Sequence, residues 1–316
     1  MTDSANTFSA QGMETVVIAS PDGALRATFV PAAGMLCGSL RFRGEELLAQ
    51  RRGVRAYAER GSTMGIPLLH PWANRLASFG YAAAGRTVEL DRESALMAHD
   101  QNGLPIHGVI PGLLPWQLLD HADGATADRL RARMDWERGE LLGVFPFPHT
   151  LELDAAVTDS TLTLQTTLRA CSTTAVPVSF GYHPYLTIPG TERADWEVRL
   201  PAATHLRLDD RMIPTGDGEA MTARRLALGN SAWDDAYGAL APQPRFSASA
   251  QGRTVSLAFL RGYDFAQVFA QPGQSFVCFE PMTAPTNALV SGDRLRTVEP
   301  GGEFRAAFEV SIAAWR

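Results

Sequence analysis

The feature that most constrains this chain is a two-residue hydrophobic period that recurs along its length. In "RLRARMDW", Leu130, Ala132, Met134 and Trp136 fall on one face. Alternation of that kind buries one side of an extended strand and does not line one side of a helix. "TLELDAAV", "LTLQTTLRA", "WEVRL", "TVSLAFL" and "FRAAFEVSIAAW" read the same way, and "TVVIASPDGALRATFV" reads as two strands around a Pro21-Asp22-Gly23 turn. The 28 glycines and 20 prolines are spread throughout, so turns are frequent and long helices scarce. The best helix candidate is short, "EELLAQRR" at 45–52, and the polar stretch "LDDRMIPTGDGEAMTARRLALGN" at 208–230 reads as a long surface loop. The pattern predicts an all-β fold, a sandwich or barrel. No repeat or linker divides the chain, so one domain over residues 1–316 is expected, with a flexible start over 1–12.

Composition narrows the function. A net charge of −6 argues against a nucleic-acid partner, which calls for a basic face. All 28 basic residues are arginine, which excludes Schiff-base and P-loop chemistry that needs a lysine. Cys37, Cys171 and Cys278 are far apart and form no C-x-x-C pair, so three buried thiols in a reducing compartment are expected rather than disulfides or structural zinc. The N-terminus lacks a signal-peptide pattern, and no apolar run reaches the ~18 residues of a membrane helix. A cytoplasmic protein without a membrane partner is expected; its oligomeric state is not readable.

Five stretches place polar groups in apolar, turn-rich surroundings. "FGYHPYL" sets His183 before Pro184, which fixes it in extended geometry near a strand end. "GIPLLHPWANRLASFGY" carries Asn74 and Arg75, "NGLPIHGVIPGLLPW" carries His107, and "SAWDDAYG" carries Asp234 and Asp235. "FVCFEPMTAPTNAL" places Glu280 directly after an apolar run, where an unpaired buried carboxylate is costly. Each has a plain structural alternative: a core histidine for His183, a surface ion pair for Arg75, a turn residue for His107, an Asx cap for the aspartates.

Together, Asn74-Arg75-Leu76, His107-Gly108, His183-Pro184-Tyr185, an Asp followed two residues later by Ala236-Tyr237, and Glu280-Pro281 with Asn287-Ala288 resemble the galactose mutarotase (aldose 1-epimerase) family, in the family's order over roughly residues 65–290. The resemblance implies a large antiparallel β-sandwich with an open sugar cleft on one sheet. It implies Glu280 as general base, His183 as general acid, and Arg75, Asn74, His107 and Asp234 as sugar-binding groups, with Asp235 the match if the alignment slips. It implies a hexose or related aldose as substrate and neither cofactor nor metal. His183-Pro184-Tyr185-Leu186 and Glu280-Pro281-Met282-Thr283 depart from galactose-specific members, which leaves the sugar open.

The residue types suit that chemistry. Inverting an anomeric centre requires a proton taken from the anomeric hydroxyl while another reaches the ring oxygen, and a histidine and a desolvated carboxylate can do both near neutrality. Trp72, Tyr185, Trp233 and Tyr237 are candidates to stack against a sugar. Three alternatives remain open: a non-catalytic carbohydrate-binding protein, a metal site built from His107, His183 and Glu280, and a hexose-6-phosphate epimerase using the arginines of "RRGVRAYAER", Arg51, Arg52, Arg55 and Arg60.

Overall fold

The alternating segments form strands whose inner faces meet. The computed structural model describes residues 8–121 and 128–315. Its largest sheet has nine strands in the order Trp116–His121, Arg129–Trp136, His149–Thr158, Thr161–Ala170, Glu303–Ala313, Arg253–Arg261, Arg245–Ala250, Glu197–Leu200 and Arg224–Ala227. The second has eight: Pro214–Met221, Ala203–Leu208, Trp233–Gly238, Phe265–Ala270, Val277–Met282, Gly181–Tyr182, Leu68–Leu69, and Tyr185–Leu186 also paired with Val277–Met282. Neighbours in both sheets run antiparallel. Phe246 of one sheet stacks on Phe279 of the other, and Tyr182 Oη lies 2.7 Å from Thr166 Oγ1 across the gap. The two sheets therefore form the expected antiparallel β-sandwich, with the apolar faces of the central strands turned inward. A four-stranded sheet over Val16–Ala19, Leu25–Val30, Leu36–Phe42 and Glu45–Glu46 packs into the same core.

The expected helix over 45–52 does not form. Glu45–Glu46 is a strand, and the helix begins after Gly53, over Val54–Arg60. The buried Glu46 carboxylate accepts from Ser39 Oγ at 2.5 Å and from the Leu40 and Leu48 amides at 3.0 and 3.2 Å, which holds the backbone extended. In Val54–Arg60, Val54, Tyr57 and Ala58 have the spacing that buries one helix face. The expected loop over 208–230 is also replaced by strands, Pro214–Met221 and Arg224–Ala227, each at a sheet edge. Edge strands exposed on both faces have no apolar alternation to read. Cys171 is exposed just past the end of Thr161–Ala170, whereas Cys37 and Cys278 are buried as expected. Residues 1–7 of the expected flexible start lie outside the described residues. Within the remainder, Phe8 packs on the Val30–Tyr57 cluster and Gln11 Oε1 accepts from the Arg55 amide at 2.7 Å. Among the described residues, no helix is long and apolar enough to cross a membrane.

Candidate active site

Strand register builds the site. Asp234 pairs with Phe269 and Phe269 with Cys278, while Ala236 pairs with Gln267 and Gln267 with Glu280. On the far side, Tyr185 pairs with Cys278 and Gly181 with Met282. The same register carries His183 opposite Glu280. Directly opposed residues share a face. One face of the sheet therefore presents His183, Glu280 and Gln267 in one row and Tyr185, Cys278, Phe269 and Asp234 in the next. Asp235 points to the other face, where it lies 3.0 Å from His205 Nε2. Pairing between the two prolines, Pro184 and Pro281, is interrupted because neither has an N–H to give. The His183 and Tyr185 amides turn instead to the Pro67 and Gly65 carbonyls, at 3.1 and 2.8 Å. At Gly181 a Cβ would stand 2.7 Å from the Pro281 carbonyl oxygen, so this close approach beside Glu280 needs glycine.

Loops supply the opposite wall. Asn74 is left-handed (φ 58°), and its Oδ1 accepts from the Arg75 amide at 2.9 Å and from Arg75 Nη1 at 3.0 Å. Arg75 Nε donates to Asp100 Oδ2 at 2.8 Å, and Nη2 lies 3.4 Å from Asp234 Oδ2. Asn287 braces the loop from behind: its amide donates to the Arg75 carbonyl at 2.9 Å, and its Oδ1 accepts from the Ala77 amide at 2.7 Å. His107 and Gly108 are both left-handed (φ 63° and 73°), and a Cβ on Gly108 would stand 2.1 Å from the His70 carbonyl oxygen. That contact explains the glycine after His107 and the bend that sends the imidazole into the cavity.

These walls enclose a cavity of about 390 Å³ lined by His183, Glu280, Arg75, Asn74, His107 and Asp234, with Arg51, Thr63, Tyr185, Phe269, Gln101 and Gln271 among its other walls. The volume falls within the ~300–1,000 Å³ of small-molecule clefts. His183 Nε2 lies 3.3 Å from Glu280 Oε1 and 3.2 Å from Tyr185 Oη, and the His183 and Tyr185 rings stack in parallel with centroids 4.4 Å apart. Arg51 Nη1 and Thr63 Oγ1 each lie 2.7 Å from Tyr185 Oη. Every predicted site residue thus lines one cavity. A larger depression of about 570 Å³ near Tyr263 carries a single carboxylate, Asp264, which is already paired with Arg296.

Burial dominates the electrostatics. Glu280 is 1% exposed and His183 5%. Desolvation holds the Glu280 carboxyl well above the usual carboxylate range; the Asp234 charge adds to this and Arg75 opposes it. Burial pulls His183 well below the ordinary imidazole value, and His107 and Arg51 act in the same direction. The sequence expectation of a histidine titrating near neutrality applies to an exposed ring, which this one is not. Burial and Arg75 push His107 down to about 3. His107 Nδ1, His183 Nδ1 and Glu280 Oε2 are buried without a hydrogen-bond partner. Among the described residues, no group of three or more His, Cys, Asp or Glu is arranged to hold a metal ion.

The chain matches the aldose 1-epimerase family over residues 34–311. It belongs to the aldose 1-epimerase family. It is similar to the uncharacterized protein YihR of Escherichia coli K12, at 24% identity over 78% of this chain and 80% of that one. Its fold is similar to that of a galactose mutarotase-like protein from Clostridium acetobutylicum (TM-score 0.80, 19% identity, 95% of each chain covered). It is also similar to that of the Slr1438 protein from Synechocystis (TM-score 0.77, 23% identity, 98% of this chain and 99% of that one). Several residues in and around this cavity carry little sequence signal. Gln267 and Phe269 sit in the ordinary alternation of "FAQVFA". Asp100, whose Oδ1 also accepts from the Asn102 and Leu104 amides, looks like any Asx turn. Of the stacking candidates, Tyr185 lines the cavity, whereas Trp72 is wholly in the core.

Proposed function

We propose that this chain is an aldose 1-epimerase acting on a hexose, with Glu280 as general base and His183 as general acid. The observation that carries the proposal is the buried His183–Glu280 pair, 3.3 Å apart, on the wall of a cavity that also offers Asp234 from the same sheet face and Arg75 from the opposite wall. Glu280 takes the proton of the anomeric hydroxyl, the bond from C1 to the ring oxygen breaks as C1 becomes an aldehyde, and His183 gives its proton to the ring oxygen. Rotation about C1–C2 presents the other face, and the transfers run in reverse. No electrons leave the sugar, so the step needs no redox partner, and both protons are accounted for by Glu280 and His183. Each proton transfer typically contributes ~10²–10⁴ in rate.

The pair's reactive form is carboxylate with imidazolium, and ring opening converts it to carboxylic acid with neutral imidazole. Both forms hold one proton between the two side chains, so they titrate as a unit. Burial favours the uncharged form, so the ionised pair is the minor form at rest and the proton transfer out of it runs toward the favoured state. Arg75, Asp234, Asn74 and neutral His107 can hold the hydroxyls, charged partners making the stronger hydrogen bonds.

Of the arginines 51, 52, 55 and 60, only Arg51 reaches the cavity. The cavity's other guanidinium, Arg75, is already engaged by Asp100, Asn74 and Asp234, so the pair falls short of the free multi-arginine clamp that a phosphate calls for, which favours an unphosphorylated sugar. The test is magnetisation transfer between the α and β anomeric protons of equilibrated glucose, galactose and glucose 6-phosphate. Transfer faster than in buffer for a free hexose, and lost in Glu280→Gln, is expected. Sugar that binds by calorimetry without faster transfer indicates a binding protein, and acceleration confined to the phosphate gives Arg51 a larger role.

A further inference from the structure

Gln267 lies directly across the sheet from Glu280. Its side chain is 2% exposed, and its Nε2 donates to Asp234 Oδ1 at 2.6 Å. That bond fixes the amide orientation, so the carbonyl is the end left over. Gln267 Oε1 is buried without a partner, and so is Glu280 Oε2. Opposed residues on one face have Cβ atoms about 4.5–5.5 Å apart, within reach of two such side chains. Two acceptors cannot satisfy each other, but one proton on the carboxyl satisfies both.

We propose that Gln267 is a positioning residue: its carbonyl accepts a hydrogen bond from Glu280 when that carboxyl is protonated, while its NH2 holds Asp234. The inference rests on the reading of Glu280 as the base and adds the group that receives it after it has taken the sugar's proton. The proton moves from the anomeric oxygen to the Glu280 carboxyl; the Oε2–H···Oε1 bond to Gln267 forms as that proton arrives and breaks as it returns. The amide thereby links the carboxylate that holds sugar hydroxyls to the carboxyl that moves the proton. Other groups facing Glu280 act on it too: His183 at 3.3 Å, and Asp234 and Arg75 by charge. His107, Tyr185 and Arg51 line the same cavity, and Cys278 is on the same strand face. The test changes Gln267 alone and compares two variants that disturb Asp234 alike.

Gln267→Met keeps length and volume and removes the carbonyl together with the NH2 that holds Asp234; Gln267→Glu loses the same NH2, keeps an acceptor and adds a carboxyl, so the two variants share the loss at Asp234 and differ at Glu280. The basic limb of the kcat profile, where the pair loses its last proton, should move down by about one pH unit in Gln267→Met, a tenfold change in the proton equilibrium. It should move up in Gln267→Glu, because a second carboxyl opposes ionisation of the first. A role limited to packing scales kcat and leaves the limb in place in both variants, which overturns the proposal. The infrared carboxylic-acid band present in wild type and absent from Glu280→Gln gives a readout independent of turnover. That band titrating about one pH unit lower in Gln267→Met, in a protein without mutarotation, upholds the hydrogen bond and rejects the catalytic reading. An unmoved band rejects the hydrogen bond whatever the activity.

Discussion

At the scale of the residue, Glu280 in its proposed role as base sets function against stability. A carboxylate enclosed by Phe269, Tyr185 and His183 gives up hydration and receives one 3.3 Å contact from a ring that burial keeps neutral. Its proton affinity in the fold lies above the ordinary 4.5. The folded state therefore holds a proton that the unfolded chain releases, and wild type loses stability as pH rises from about 4.5 through the raised value. Glu280→Gln should abolish mutarotation yet melt higher than wild type at pH 8, and the gap should close as pH falls toward 4.5. Thermal melts across that range check this; a variant less stable than wild type at high pH contradicts the burial argument. Glu280 was legible in the sequence because a charge directly after Phe-Val-Cys-Phe has nowhere solvated to go. Gln267 was not, because an amide in an alternating strand is unremarkable until its opposite neighbour is known. Arg51 read as one of four arginines that could meet a phosphate, and only the fold shows it bonded to Tyr185 Oη.

At the scale of the element, two loops are held by left-handed residues rather than by regular secondary structure. Asn287 (φ 72°) ties Ala77 and the Arg75 carbonyl. Asn287→Ala removes the side-chain bond and puts a less tolerant residue in that conformation, at a cost of about 2–3 kcal/mol. Because Arg75 and not the proton pair is disturbed, KM should rise several-fold with kcat nearly unchanged. Asn287→Gly, which relieves the backbone without restoring the bond, should recover stability more than KM. Steady-state kinetics beside urea denaturation separates the two. Gly108→Ala should be far more damaging, since its Cβ meets the backbone of His70 rather than a movable side chain.

Legibility at this scale followed burial. Strands with one buried face, such as Arg129–Trp136, were readable to the residue. Pro214–Met221 was read as loop because nearly all of it is exposed. The helix fell at Val54–Arg60 rather than 45–52 because Glu46 satisfies the amides of an extended backbone, an interaction no periodicity records.

At the scale of the whole molecule, neutral histidines gather between and beside the sheets. His149 Nδ1 donates to the Phe147 carbonyl at 2.6 Å, which leaves its Nε2 to accept from His70 Nε2 at 2.9 Å. Burial draws His149 down to about 4 and His70 well below 6.5, alongside His183 and His107. As pH falls below about 6.5 the unfolded chain takes up protons that the folded one refuses, so stability falls. The urea midpoint should drop steadily from pH 7 to pH 5, each such histidine contributing about 1.4 kcal/mol per pH unit below its unfolded value. A midpoint flat across that interval contradicts the neutral assignment.

In the proposed mechanism the register-matched pair moves the protons of ring opening. The direct measurement is polarimetry of freshly dissolved α-D-glucose and α-D-galactose with wild type, Glu280→Gln and His183→Asn, each verified as folded. Wild type should accelerate the approach to equilibrium rotation for at least one sugar, and each variant should lose about two orders of magnitude or more. Full activity in Glu280→Gln, or no acceleration by wild type of any aldose that it binds, contradicts that mechanism.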